Sequence, residues 1–346
     1  MKVLFLPLYN DIWASSRCRI YLYKKRLEKH SISVHILPPP NPDIISRGIY
    51  LCKIFFSLLW VDVVYIQKKI FPSYLFFIIK TFNNRIVFDF DDAIHACPSS
   101  IDTHLFDTRS NERQLSNILK RCSHIVVGNS YLYQFAMKHN SHTTIIPTPV
   151  DHEQFSPQQP EGLNSQSEKG KRKIVLGWVG QGQNLIYLDT VKDALQEISH
   201  LRRNRICLKV ISNKPYCIEG VDVLNQTWSI EKEVDNLRSI DIGLMPLIDD
   251  EWTHGICSFK ALQFMCLGLP VVISPVGNNK EVVSHGKNGY FANTKEEWIR
   301  YLLNLIDDEE KRKEFGFAGR EFVITKYTYE VTTPMLVKVL RETVCN

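Results

Sequence analysis

Long hydrophobic runs are missing from this 346-residue chain. No apolar stretch reaches the roughly 20 residues that cross a bilayer as a helix. Paired cysteines are missing as well. The nine cysteines are scattered, with no C-x-x-C pair and no His/Cys grouping at zinc spacing. That excludes a disulfide scaffold and a structural zinc site, and fits reduced thiols in a cytosol. Met1–Leu8 leads straight into Tyr9-Asn10-Asp11, so no cleavable signal peptide is expected. No internal repeat is found. Acidic residues are scarce at the start: residues 1–85 hold 13 Lys and Arg against 4 Asp and Glu, a net of +9, while the whole chain carries +5 and the remainder therefore sums to −4. The first quarter thus calls for an anionic partner.

What is present is an alternation of strands and helices. Short apolar runs at Lys2–Leu6, Ser31–Leu37, Val61–Ile66, Arg85–Phe90, His124–Val127 and Thr143–Ile146 read as buried strands. Between them lie helical patterns at Ser15–Lys29, Ile44–Trp60, Pro72–Phe82, Leu105–Arg121 and Tyr131–His139. Asp151–Lys173 breaks the alternation with polar, aperiodic sequence, and a second α/β half starts at Ile174. The expectation is two doubly wound domains, 1–155 and 173–326, joined by a connection at 156–172. The residues from Tyr327 to Asn346 would return to the first domain.

The organising stretch is Ile240–Val283. It reads as strand, polar loop, helix, strand, and its loop would empty at the carboxyl ends of a parallel sheet, where such sheets bind ligands. Gly255 would let backbone approach a ligand closely. Ser258 is the expected N-cap of the helix, and Lys260 adds a positive charge. Together these suit a phosphate or diphosphate. The turn Gly180-Gln181-Gly182 closes the first strand of the same half and would face the same ligand. Asn278 and Asn279, after the next strand, are placed to meet hydroxyls or phosphates of the same ligand, or to cap the helix that follows. In the first half, Asp89, Asp91 and Asp92 cluster at a strand end in a basic domain, where a carboxylate can hold or accept a proton. Arg17 and Arg19, just after the first strand, are candidates for meeting a phosphate, either of a bound donor or of a lipid-linked acceptor. Arg47–Trp60 and Phe71–Lys80 combine Lys53, Lys68, Lys69 and Lys80 with many aromatics, which suits a face lying on anionic lipid better than a nucleic-acid surface.

In order and spacing, several segments resemble the family 4 glycosyltransferases of the GT-B fold, of the kind that builds bacterial surface polysaccharides. They are Phe88-Asp89-Phe90-Asp91-Asp92-Ala93, Val127–Leu132, Ile146–Asp151, Gly177–Gly180 with Tyr187-Leu188, and the organising stretch. The resemblance covers nearly the whole chain. It implies two Rossmann-like domains across a cleft, retaining transfer from a nucleotide diphosphate sugar to a saccharide, lipid-linked in the family pattern, at the cytoplasmic membrane face, with no metal and no other cofactor. It places Asp91 where many relatives carry an active-site His, and Trp228 at the nucleobase wall. Two departures stand out. Gln181 and Ile186 occupy the positions of an Arg and a Lys that hold the diphosphate in relatives, leaving Lys260 and then Lys214 as candidate cations. Gly255 and Gln263 occupy the positions of two glutamates that hold the donor sugar and ribose. Two other outcomes fit these residues: a GT-B nucleotide-sugar epimerase, though the second half is poor in suitable carboxylates and His, and a homologue that binds without catalysing.

Overall fold

Two six-stranded parallel sheets carry the chain. The computed structural model describes residues 1–98, 108–157 and 172–345. The first sheet is built from β1 (Lys2–Leu6), β2 (Ser33–Ile36), β3 (Val63–Gln67), β4 (Ile86–Phe90), β5 (His124–Val127) and β6 (Thr143–Ile145), in the order β2-β1-β3-β4-β5-β6. The second contains β7 (Ile174–Val179), β8 (Ile206–Ser212), β9 (Val223–Thr227), β10 (Ile242–Met245), β11 (Val271–Ile273) and β12 (Tyr290–Phe291), in the order β12-β11-β10-β7-β8-β9. β3 and β4 are buried along their whole length, as strands covered on both faces by helices must be. The α/β expectation holds in both halves.

Each order reverses once, between β1 and β3 in the first sheet and between β7 and β10 in the second. A crevice opens beyond the carboxyl ends of the strands at such a point. The residues that follow β1, β3, β4, β7 and β10 therefore line the two sides of one cleft.

The expected helix Ser15–Lys29 is broken. A short helix Ala14–Arg19 gives way at Ile20, whose backbone leaves the helical region, to a 3₁₀ turn and a second helix Lys24–Glu28. The break turns Arg19 inward under the sheet. The helix expected from Leu105 is described from Thr108 to Leu119, and most of the connection 156–172 lies outside the described residues. The last helix, Tyr329–Cys345, packs on the first domain. The Tyr23 hydroxyl donates to Thr332 at 2.7 Å, the Tyr329 hydroxyl donates to the Cys18 carbonyl at 2.9 Å, and Arg26 lies over the Tyr329 ring at 4.0 Å. Leu336, Val337, Val339 and Leu340 join the core of β1, β3 and β4.

Candidate active site

The floor of the cleft on the first-domain side is an ion network. Asp89, the fourth residue of β4, is fully buried and bonded to the equally buried Arg19, with Nε 2.9 Å from Oδ2. Arg19 Nη1 donates to the Ile146 carbonyl at 2.9 Å and to the Thr148 hydroxyl at 3.1 Å. Both charges are spent inside the protein. The expected acceptor contacts of Arg19 and Asp89 are not available in this arrangement, because each is the other's counter-ion. For the same reason the sequence Asp89-Phe90-Asp91 does not present two open carboxylates.

Asp91 sits one step further out, at the end of β4. Its two oxygens each accept from the Ser15 hydroxyl at 2.9 Å, and Lys68 Nζ lies 3.1 Å from Oδ1. Lys68 also bonds Asp92. Burial pushes the Asp91 carboxyl up, but Lys68, Arg19 and the Ser15 hydroxyl outweigh it and hold the group below the ordinary carboxylate value. Asp92 shares the same ammonium and moves the other way, raised by burial and by Asp91. The shared Lys68 ammonium and the mutual repulsion thus push the two neighbouring carboxyls in opposite directions. Gln67 orders the cluster: its amide nitrogen donates to Ser15 Oγ at 2.9 Å, and its oxygen accepts from Ser16 Oγ at 2.8 Å.

Lys68 was expected on a lipid face. It is buried instead, and its backbone lies in the left-handed region at φ 58°. A lysine held there costs about 1–3 kcal/mol, which the ion network offsets. The signal for it was legible in principle: a Lys directly after a buried strand, at the sheet end that carries three carboxylates. The signal for Ser15, also missed, was weaker.

On the second-domain side, the turn after β7 holds Gly180, exposed Gln181 and Gly182. A side chain at Gly180 would strike the Trp178 ring, and one at Gly182 would strike the stem of Lys214. Gly182 N donates to Asn213 Oδ1 at 2.7 Å. Lys214 is exposed above this turn, with its ammonium free to reach an anion in the cleft. Trp228 is half-buried just past β9 and packs on the second-domain core.

The loop after β10 departs most from expectation. Gly255 does allow close approach, but what approaches is the backbone of Ala93 in the first domain, 2.4 Å from where a side-chain carbon would stand. Asn129 Nδ2 donates to the Gly255 carbonyl at 3.0 Å, and the Cys257 thiol donates to the Asp91 carbonyl at 3.1 Å. Gly255 is thus a point where the domains meet. Ser258 precedes the helix Phe259–Cys266 but does not cap it; at φ 54° its hydroxyl instead donates to Asn279 Oδ1 at 2.7 Å and accepts from Asn278 at 3.2 Å. Asn279 donates to the Ser274 carbonyl at 2.9 Å. Asn278 and Asn279 are therefore buried braces between the β11 turn and the helix start, and their side chains neither meet the cleft nor cap Asn279–Val282.

Behind that helix start, Lys260 Nζ donates to Gln263 Oε1 at 3.2 Å. Gln263 Nε2 donates to Glu233 Oε1 at 3.2 Å, and Glu233 Oε2 meets Arg17 Nη2 across the cleft at 2.5 Å. Gln263 and Arg17, singled out separately, meet on one carboxylate that the sequence had not marked, and Lys260 joins them through Gln263.

Residues 173–308 match the family model described as glycosyl transferases group 1. It is therefore the second α/β domain, from β7 onward, that is similar to group 1 glycosyl transferases. An uncharacterised glycosyltransferase of Methanocaldococcus jannaschii is 28% identical over 182 residues, 47% of this chain and 44% of that protein. Spore coat protein SA of Bacillus subtilis is 31% identical over 81 residues, 22% of this chain and 21% of that one. The matched region spans less than half the length of these relatives. Among solved structures, sucrose-phosphate synthase from Thermosynechococcus elongatus superposes with a TM-score of 0.74 at 11% identity, covering 99% of this chain and 98% of that one. HepE of Anabaena, solved in complex with UDP-glucose, gives 0.69 at 16% identity, covering 99% and 100%. These likenesses establish the GT-B fold.

Proposed function

We propose that the protein is a glycosyltransferase that moves a sugar from a nucleoside diphosphate sugar to a hydroxyl of a lipid-linked saccharide, with retention of configuration, in the building of surface polysaccharide. The observation that carries this is the pairing across one cleft of an ionised first-domain carboxylate, Asp91, with a cation-bearing loop of the glycosyl transferase domain, Gly255–Lys260. The negative charge that develops on the diphosphate as the sugar leaves needs positive charge already in place, and Lys260 and Lys214 supply it. Asp91 holds the acceptor hydroxyl and takes up its proton. Retention, the lipid-linked acceptor and the metal-free chemistry rest on the family resemblance. HepE has been solved with UDP and with UDP-glucose, which makes UDP the first nucleotide to test.

Calorimetric titration of UDP, GDP, ADP and CMP into the protein tests the donor site. One nucleotide is expected to bind at micromolar level, and Lys260→Ala to weaken it about tenfold, about 1.4 kcal/mol. Binding untouched by Lys260→Ala returns that lysine to a bystander, and absence of binding by every nucleotide removes the enzyme reading in favour of a non-catalytic homologue. Transfer from the matching sugar nucleotide then separates a transferase from an epimerase, which would release the nucleotide with no acceptor present.

Membrane association belongs to the same proposal, on altered grounds. Of the four lysines expected on the lipid face, Lys68 is in the ion network, Lys69 donates to the Tyr50 hydroxyl at 3.0 Å, and Lys80 bonds the Arg121 carbonyl. Burial pushes the Lys69 ammonium down to about 8. The apolar part is larger than expected: Ile45, Ile49 and Phe56 on helix Ile44–Leu58 and Leu59 just after it, with Tyr74 and Phe77 on helix Ser73–Phe82, are all more than half exposed. No helix among the described residues is long and apolar enough to cross a membrane. Such a face, edged by exposed Arg47 and Lys53, lies in the headgroup region of an anionic bilayer. Ile49→Glu with Phe56→Glu should cut cosedimentation with phosphatidylglycerol vesicles at least about tenfold and leave nucleotide affinity unchanged; unchanged cosedimentation removes the membrane from the proposal.

A further inference from the structure

We infer that Arg17 and Lys260 form a seat for the donor's diphosphate that spans the two domains, and that Glu233 occupies this seat in the donor's absence. The inference rests on the nucleotide-sugar reading above and decides for Arg17 between the two phosphates, the donor's and an acceptor's, that the sequence left open.

Glu233 opens the helix Glu233–Arg238 of the second domain and is only 2% exposed. A carboxylate so enclosed needs hydrogen-bonded counter-charge. It has it from both sides of the cleft: Arg17 Nη2 of the first domain at 2.5 Å, and Gln263 of the second at 3.2 Å, itself bonded to Lys260. Arg17 is only 11% exposed, and its other nitrogen donates to the Ile12 carbonyl at 3.2 Å, so the guanidinium is aimed and not merely dangling. Burial draws the Lys260 ammonium below its ordinary value, with Glu233 opposing and Arg17 adding to the shift. The two cations therefore sense one another through the same small space, which holds one carboxylate between them.

The turn after β7 provides no cation, since Gln181 and Ile186 stand there. A diphosphate bound at that turn has exposed Lys214 beside it and needs further counter-charge from the opposite side of the cleft, where the Arg17–Lys260 pair stands. A carboxylate and a phosphate oxygen make the same charge-assisted bonds to a guanidinium. Glu233 thus keeps the two cations oriented and partly neutralised while the site is empty. On binding, the diphosphate takes over the bonds and Glu233 retains Gln263. Because Arg17 belongs to the other domain, gripping the diphosphate and holding the cleft closed become one event.

The test compares UDP with UMP, and GDP with GMP, by calorimetry on the full chain and on Arg17→Gln, Arg17→Lys and Glu233→Gln. Wild type should prefer the diphosphate at least tenfold. Arg17→Gln should lose most of that preference, with monophosphate affinity within twofold of wild type, and Arg17→Lys should keep part of it. Glu233→Gln should bind the diphosphate severalfold more tightly, since no carboxylate has to be displaced. If wild type binds no nucleotide, the nucleotide-sugar reading falls and this inference with it. If wild type binds and Arg17→Gln keeps the preference, Arg17 and Glu233 are only a tie between domains and the inference is overturned. If Glu233→Gln weakens diphosphate and monophosphate equally, Glu233 holds the nucleoside or the fold, and its role as a stand-in is overturned.

Discussion

Asp91→Asn is expected to lower the rate of sugar transfer by about 10²–10³-fold while leaving nucleotide affinity within about twofold. The amide keeps the shape of the carboxylate and can still accept from Ser15 at one oxygen, so the cluster should persist. It cannot take up the acceptor's proton, and it no longer shares Lys68 with Asp92. A fall in nucleotide affinity with unchanged turnover would place Asp91 on the donor side and refute the assignment. The pH profile gives a second readout. The group works ionised, and its carboxyl is held below the ordinary value because Lys68, Arg19 and Ser15 outweigh burial. The acid limb of kcat/KM should therefore lie below the ordinary carboxylate value, about pH 4, and the profile should be flat from there through neutrality. Lys68→Met removes the largest opposing charge and leaves burial in command. The acid limb should then move to higher pH by more than about one unit. A merely structural lysine would change stability without moving that limb. The stability linkage runs the same way: with a depressed folded value, the contribution of Asp91 is present above the ordinary carboxylate value and is lost as pH falls through the folded one.

The α/β layout was legible because buried parallel strands leave short apolar runs, and here they alternate cleanly with helical spacing. What the sequence could not show was the partner of each polar residue. Asp89, Asp91 and Asp92 look alike as letters. Strand alternation puts Asp89 on the same side as Asp91, but only the break at Ile20 reveals that Arg19 is drawn beneath the sheet to meet Asp89. Gly255 signalled close approach correctly, yet a glycine cannot say whether a ligand or another backbone approaches; here it is Ala93. Asn278 and Asn279 looked like sugar contacts because they follow a strand at the ligand end of the sheet, whereas burial commits their amides to Ser258 and Ser274. Glu233 left no signal, since one glutamate at a helix start is ordinary until Arg17, 216 positions away, is seen against it.

Arg19→Met should be the most destabilising single change in the first domain, by about 3–5 kcal/mol in urea unfolding of the full chain. The guanidinium bonds Asp89 with more than one nitrogen and also satisfies Ile146 and Thr148. Removing it strands a fully buried carboxylate on β4, with Lys68 the remaining cation that opposes its burial among the described residues, and leaves a carbonyl and a hydroxyl unpaired. Methionine fills the space of the side-chain stem, so the loss reports charge and not cavity. Two companion measurements distinguish this cause from general disruption. Arg19→Met with Asp89→Leu should recover much of the lost stability, because a buried ion pair replaced on both sides by apolar groups is often near neutral. Burial already raises the Asp89 carboxyl with Arg19 in place, and in the single variant the loss of Arg19 would raise it further. The deficit should therefore be smallest near pH 4 and grow as the pH rises through the raised value. A deficit that ignores pH, or a double variant no better than the single one, would mean that Arg19 serves mainly to anchor Ile146–Thr148. The segment leading out of the first domain would then be the structure that depends on it.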